Sequence, residues 1–355
     1  MKKLNVCVLF GGISPEHIVS LRSAESVLSN LDPEKYNIFP VGITLEGDWI
    51  LFGGKDYSDL PDGSWRQHPD NRKATISPIR GQGLLSFEGD CVVREMVDVV
   101  FPVLHGENGE DGAMQGLLQM AGIPYVGSNV AASAVSMDKT LTKLVADNEQ
   151  IVQAQWQLVR SNELSKRMND IVAVIESRFA YPVFVKPAGT GSSVGVSKAN
   201  DRDSLIAALQ HAAKYDKKIL VEEFIDGREI EVAVMGNDSP VASICGEIDS
   251  GADFYDFDAK YVTDTSVAYI PARIDDAVAE QVRENAVRIY TALGCRGLSR
   301  VDFFVTSENR IVFNEVNTLP GFTSISMYPK LFAASGIPYS QLLDMLVKFA
   351  LEEHQ

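Results

Sequence analysis

The sequence predicts an α/β protein of two or three domains, and three observations carry that expectation. At 355 residues the chain exceeds what one hydrophobic core usually serves. Its N-terminus runs strand, glycine loop, helix, strand (LNVCVLF, GGIS, PEHIVSLRSAESVLSNL, YNIFPVGIT), which is the order of an α/β unit. Its C-terminal part alternates strand-like runs with one long helical stretch, DDAVAEQVRENAVRIYTALG. With 45% hydrophobic and 23% charged residues, the composition is that of a soluble globular chain rather than a disordered one.

The elements follow in order. Two further strand-like runs, VDVVFPVLH and IPYVG, continue the first unit, and residues 53–90, rich in Gly, Pro, Asp and Ser, read as a long surface excursion. A boundary falls near residue 130, after VGSN, giving a first domain over 1–130. A helical period recurs from Asn129 to about Asn148, and the strand YPVFVKP then leads into AGTGSSVGVS. The helix DRDSLIAALQHAAKY and the strand KILVEEFI complete a central unit over 131–226. From 227 to 355 come EIEVAVMG, PVASICGEI, RVDFFVT and RIVFNEV, and the tail PYSQLLDMLVKFALEEH reads as an amphipathic helix.

Bulk properties exclude several functions. A formal net charge of -16, without a dense Lys/Arg group, argues against a nucleic-acid partner. An anionic ligand would have to be met by a few placed cations or metals. No run of about 18 apolar residues offers a membrane span. Cys7, Cys91, Cys245 and Cys295 show no CxxC spacing, and the N-terminal apolar run breaks at Gly11-Gly12 before signal length. The expectation is a reduced, cytoplasmic protein.

Three stretches carry candidate chemistry. AGTGSSVG lacks the GK[ST] ending of a P-loop, and its glycines do not fit GxGxxG. It reads as a turn between strands, either a solvent hairpin or a cover whose amides and Ser192 and Ser193 hydroxyls fold over phosphates. Lys186, at the end of the preceding strand, either protects a sheet edge or meets an anion. In VEEFIDGREIEV, the apolar and backbone groups of Glu222, Glu223, Phe224 and Ile225 could hold a purine, with one of the carboxylates Glu222, Glu223 and Glu229 on ribose hydroxyls. The third stretch is a hairpin: Asp302 in RVDFFVT, then Glu315 and Asn317 two apart in RIVFNEVN. Side chains two apart share a strand face, so two acids and an amide can converge as a hard oxygen set suited to Mg²⁺ rather than zinc. A solvated polar face is the plain alternative.

These elements, in this order, resemble the ATP-grasp family of carboxylate-amine ligases. The resemblance narrows on SPEHIVSLRSA (14–24), HGENGEDG (105–112), MDK (137–139), FYDFDAKY (254–261), GLSRVD (297–302) and NEVNTLPGFTSISMYP (314–329), which look like the motifs of the D-alanine-D-alanine ligases. That likeness implies an α+β ATP-grasp fold: an N-terminal doubly wound parallel-sheet domain on the first D-alanine's side, then central and C-terminal domains with mixed and antiparallel sheets.

It also implies roles. Lys139 and Lys186 match lysines on the α/β-phosphates, and Lys260 one that reaches the γ-phosphate. Asn314 and Glu315 join the ATP set, and Asp302, Glu315 and Asn317 match ligands of two Mg²⁺ ions, replaceable by Mn²⁺, with a K⁺ ion nearby. Glu16 matches the acid on the first D-alanine's ammonium. From the residues alone Glu16 reads more readily as a first-turn acid facing a helix dipole, behind Ser14 and Pro15. His105, otherwise a packed strand-end histidine, matches a first-substrate residue. Arg300 and the Gly321 N–H match the groups on the tetrahedral oxyanion, and Ser326 and Met327 match the second-substrate positions. Tyr261 matches the loop residue linked to Ser192 and Glu16, and with Met327 it favours D-alanine over D-lactate as second substrate. A homodimer is implied as well. The alternatives are a D-alanine-D-serine or D-alanine-D-lactate ligase, and a non-catalytic ATP-binding regulatory protein, which would be expected to lack Lys260, Arg300 or Glu315.

Overall fold

The computed structural model describes residues 2–249 and 267–353. In the first sheet, β1 (Leu4–Gly11), β2 (Tyr36–Ile43) and β7 (Val99–Leu104) are parallel, with β1 in the middle. Both faces of this part are covered, so β7 is buried along its whole length and reads as a continuous apolar run. Helix α1 (His17–Asn30) packs on it through Leu21, Ala24, Val27 and Leu28.

The segment 53–90 is not the surface excursion its composition suggests. With flanking residues it supplies β3 (Trp49–Leu51), β4 (Arg72–Ile76), β5 (Leu84–Glu88) and β6 (Cys91–Glu95), an antiparallel meander that extends the sheet in the order β6-β5-β4-β3-β2-β1-β7. Its anchor is Trp65, fully buried with its ring 5.1 Å from that of Phe10. Gly42 makes room for that ring, because a side chain there would overlap it. The segment's glycines and prolines are turn residues between short strands, a pattern that composition cannot tell from a loop.

A second, antiparallel sheet has the order β10-β9-β11-β8, from β8 (Trp156–Arg160), β9 (Val183–Pro187), β10 (Ser197–Ala199) and β11 (Lys218–Glu223). Two further helices close one core with it, Ser161–Arg178 and Arg202–Ala212. The Arg202 helix begins where expected, at an Asp201 cap with a reciprocal Ser204 bond.

The third sheet, also antiparallel, runs β14-β13-β12-β15-β16, from β12 (Arg228–Gly236), β13 (Val241–Asp249), β14 (Val267–Tyr269), β15 (Gly297–Val305) and β16 (Ile311–Asn317). The helical stretch 129–148 is two helices, Val130–Met137 and Lys139–Asn148, broken at Asp138, which caps the second. They share a core with this sheet and the helix Asp276–Ala292. The last two helices, Met327–Ala334 and Tyr339–Glu353, share another with β1 and β7 of the first sheet. Among the described residues no helix is long and apolar enough to cross a membrane.

Candidate active site

The loops that follow β1, β7, β9 and β16 converge. Glu16, at the cap of α1, is almost fully buried, and its carboxylate accepts a short hydrogen bond from the Ser192 hydroxyl of the β9–β10 turn. That carboxylate is pressed between two glycine backbones. A side chain at Gly106, whose φ is +71°, would collide with it, and one at Gly191 would come within 2.9 Å. Glu16 therefore does more than face a helix dipole.

His105 is buried, with Nδ1 2.9 Å from the Leu319 carbonyl and Nε2 3.2 Å from Ser23 Oγ. Burial lowers its pKa against the pull of Glu16, so the ring is neutral, donates from Nδ1 to Leu319 and accepts at Nε2. Ser23 Oγ also accepts from the Phe322 N–H at 3.2 Å. Glu110 completes the junction, taking the Gly106 N–H at 2.9 Å and the Leu319 N–H at 3.0 Å, one on each oxygen. Ser23 and Glu110 lie inside the quoted motifs, yet their spacing gave no sign of these partners. The signal would have been unused polar side chains in a stretch already marked by Glu16 and His105.

The β9–β10 turn holds Ser192 and Ser193 in the left-handed region, with φ of 47° and 58°. Asp216 fastens its start by accepting the Gly189 N–H at 2.7 Å. Lys139 Nζ donates to the Thr190 carbonyl at 2.8 Å and lies 3.6 Å from Glu315. Beside the turn opens a cleft of ≈ 900 Å³, the size of a small-molecule site. Lys139, Lys186, Ser192, Ser193, Glu223 and Ile225 line it, as do Glu229, Asn314 and Glu315. Phe224 and Phe184 form an aromatic corner there, ring centres 6.1 Å apart, with Lys198 Nζ 4.9 Å from the centre of the Phe224 ring.

Glu222 also borders the cleft, but its carboxylate is committed elsewhere. It is buried and bonds Lys143 and Lys186, each at 2.5 Å. Burial alone would raise its pKa; the two ammonium groups override that and hold it at about 2. The side chain expected against a nucleotide is thus the holder of Lys186. Glu223 likewise turns back to accept the Gln155 N–H at 2.9 Å.

Across the third sheet, Asp302 stands opposite Glu315 and Arg300 opposite Asn317, on one face. A β-bulge just beyond the Asp302–Glu315 pair, before Phe303–Phe313, leaves Asn314 without a register partner. Arg300 donates from Nε and Nη2 to the two Asp302 oxygens at 2.8 and 2.7 Å, and Asn317 Nδ2 donates to Asp302 at 2.9 Å. The donor set is two carboxylates and an amide, and no group of three or more His, Cys, Asp or Glu residues placed for a metal occurs among the described residues. Such a set fits a hard cation that takes its remaining ligands from phosphates.

Past β16, Ser326 Oγ accepts the Thr323 N–H at 3.0 Å and fills the space beside Gly321. Met327 departs from expectation: its side chain is buried in the core and reaches toward Gly246 of β13, not the cleft. Lys260 and Tyr261 lie outside the described residues.

Residues 5–128 match the family described as D-ala D-ala ligase N-terminus, and residues 145–348 match D-ala D-ala ligase C-terminus. The chain is 50% identical over 357 residues to the D-alanine–D-alanine ligase of Caldicellulosiruptor bescii, covering 100% of this chain and 97% of that one. It is 49% identical over 368 residues to that of Ruminiclostridium cellulolyticum, with the same coverage. Among solved structures, a D-Ala:D-Ser ligase from Enterococcus faecalis superposes with a TM-score of 0.89 at 38% identity, over 98% of this chain and 100% of that one. The D-alanine-D-alanine ligase from Coxiella burnetii gives 0.82 at 36%, over 99% and 96%.

Proposed function

From the premise that the chain belongs to the D-alanine–D-alanine ligase family, we propose how its cleft joins two D-alanines. The enzyme is an ATP-dependent, ADP-forming ligase that makes D-alanyl-D-alanine through D-alanyl phosphate, for peptidoglycan precursors. The observation that carries the site assignment is the Glu16–Ser192 contact, which sets a buried carboxylate against the turn that borders the cleft.

ATP lies in the cleft with its purine at Phe224 and Ile225, its ribose at Glu229, and its phosphates under Ser192 and Ser193, against Lys139 and Lys186. Lys260 is assigned to the γ-phosphate by the family motif. Asp302, Glu315 and Asn317 would hold Mg²⁺, as two ions with Mn²⁺ able to replace them, and K⁺ is assigned nearby. Bound there, the ions would neutralise charge on the phosphates. Glu16 takes the ammonium of the first D-alanine, and neutral His105 fixes the loop beside it. The carboxylate oxygen of that D-alanine attacks the γ-phosphorus as ADP leaves. The amine of the second D-alanine, having lost a proton, attacks the acyl carbon, and the C–O bond to phosphate breaks. Arg300 and the Gly321 N–H stabilise the oxyanion between those events. Ser326 receives the second D-alanine, and the burial of Met327 leaves only its backbone for that task. The working form is a homodimer in the cytoplasm.

Phosphate release from ATP that depends on D-alanine tests this reading. Equal release with L-alanine would overturn the substrate assignment. D-serine as second substrate is a second reading, favoured by the superposition on the D-Ala:D-Ser ligase, and product analysis with D-alanine, D-serine and D-lactate in competition separates the two. Tyr261→His should raise use of a D-hydroxy acid at lower pH, where a cationic ring repels the ammonium of D-alanine. Product ratios that stay constant from about pH 6 to 8, across the ordinary His pKa, would refute that role for Tyr261.

A further inference from the structure

The third sheet carries a carboxylate that the reading above leaves unused. Glu231 of β12 stands in register with Asp302 of β15, which in turn stands opposite Glu315 of β16, so three carboxylates lie in one row across adjacent strands. Glu231 and Asp302 are 4% and 1% exposed. Like charges directly opposite destabilise a sheet, and the cation that resolves this pair is Arg300, whose Nε lies 3.2 Å from Glu231 Oε2 and 2.8 Å from Asp302 Oδ1.

Both Asp302 oxygens are taken by Arg300 and Asn317 here. If Asp302 holds the cation of the nucleotide, as proposed above, it must give up part of that donation. A guanidinium held by Asp302 alone would then be free to swing. Glu231 is on the opposite side of Asp302 from Glu315, one strand farther from the nucleotide-side carboxylate, and can keep its grip. We propose that Glu231 is a positioning residue that retains Arg300 in register when Asp302 turns to the metal–nucleotide complex. The inference rests on the roles given above to Asp302 and Arg300.

The test uses Glu231→Gln, which keeps the shape and one acceptor oxygen, in the wild-type and Arg300→Gln backgrounds. A buried ion pair at 3.2 Å is at stake, so kcat should fall about tenfold in the wild-type background. In the Arg300→Gln background it should fall no further, because the two residues act as one unit. Calorimetry with ADP supplies a readout apart from turnover: Glu231→Gln should weaken binding of ADP with Mg²⁺ severalfold and leave metal-free ADP binding unchanged. The same loss of kcat in both backgrounds, no loss in the wild type, or equal weakening with and without Mg²⁺ would overturn the inference. An Arg300→Gln enzyme with full activity would instead refute the role given to Arg300.

Discussion

Asn317 donates its amide hydrogen to Asp302 and faces Glu315 two residues away on one strand face. Substituting Asp would exchange that donor for a third negative charge beside two carboxylates, while the side-chain volume hardly changes. Asn317→Asp should therefore lower kcat about tenfold, a charged hydrogen bond's worth, and shift Tm by no more than about 4 °C. A large loss of Tm with ATP binding intact would mark Asn317 as structural. This residue was legible from spacing alone, because the period of a strand fixes which side chains share a face. Met327 was not, since the same motif position can offer either its side chain or its backbone, and only the space above Gly246 decides. Glu231 was invisible for another reason: register with Asp302 comes from pairing between β12 and β15, which lie far apart in sequence.

The hairpin β15–β16 and the turn between β9 and β10 were readable because each is local, its chemistry and its turn residues lying within one short stretch. Contacts between distant elements were not. Lys143, in the helix Lys139–Asn148, is a charged residue at 2% exposure whose only sequence signature is an ordinary helical period. It reaches Glu222 on β11, which in turn reaches Lys186 on β9, so one carboxylate ties three elements together. Removing the shared acid while leaving the buried Lys143 and the partly buried Lys186 ammonium groups should cost about 3–5 kcal/mol, and Glu222→Gln should show it as a lower urea midpoint at neutral pH. The pH dependence has a definite sign. With its folded pKa near 2, below the ordinary 4.5, Glu222 contributes stability that is present above 4.5 and lost as pH falls toward 2. The acid limb of the wild-type urea midpoint should flatten in the variant, and an unchanged limb would refute the assignment.

The whole molecule is joined where the first and third sheets meet, through the 319–322 loop. His105 donates to its Leu319 carbonyl, Ser23 accepts from its Phe322 N–H, and Glu110 accepts from its Leu319 N–H while also holding Gly106. Gly321, the assigned oxyanion contact, lies inside the segment so suspended, which links the placing of one backbone N–H to the packing of two distant parts of the chain. Of these bonds the Glu110 pair is the one that pH can alter. Burial first, then the charge of Glu16, push its pKa from 4.5 up to about 7, against the two N–H bonds that favour the carboxylate. A raised carboxyl pKa means that the folded state binds the proton more tightly than the unfolded one, so this contribution is full below 4.5 and declines as pH rises through 7. Glu110→Gln removes the titration, and its NH₂ group meets one of the two N–H donors, so the variant should be less stable overall by about 1–3 kcal/mol. Between pH 4.5 and 8, spanning the two pKa values, the urea midpoint of the wild type should fall relative to that of the variant, because only the wild type carries the Glu110 titration. The KM for D-alanine should rise in the same variant, because the loop that carries Gly321 loses one of its supports. Parallel pH curves for the two proteins would refute the titration of Glu110, and an unchanged KM would separate the stability of this junction from its role in holding substrate.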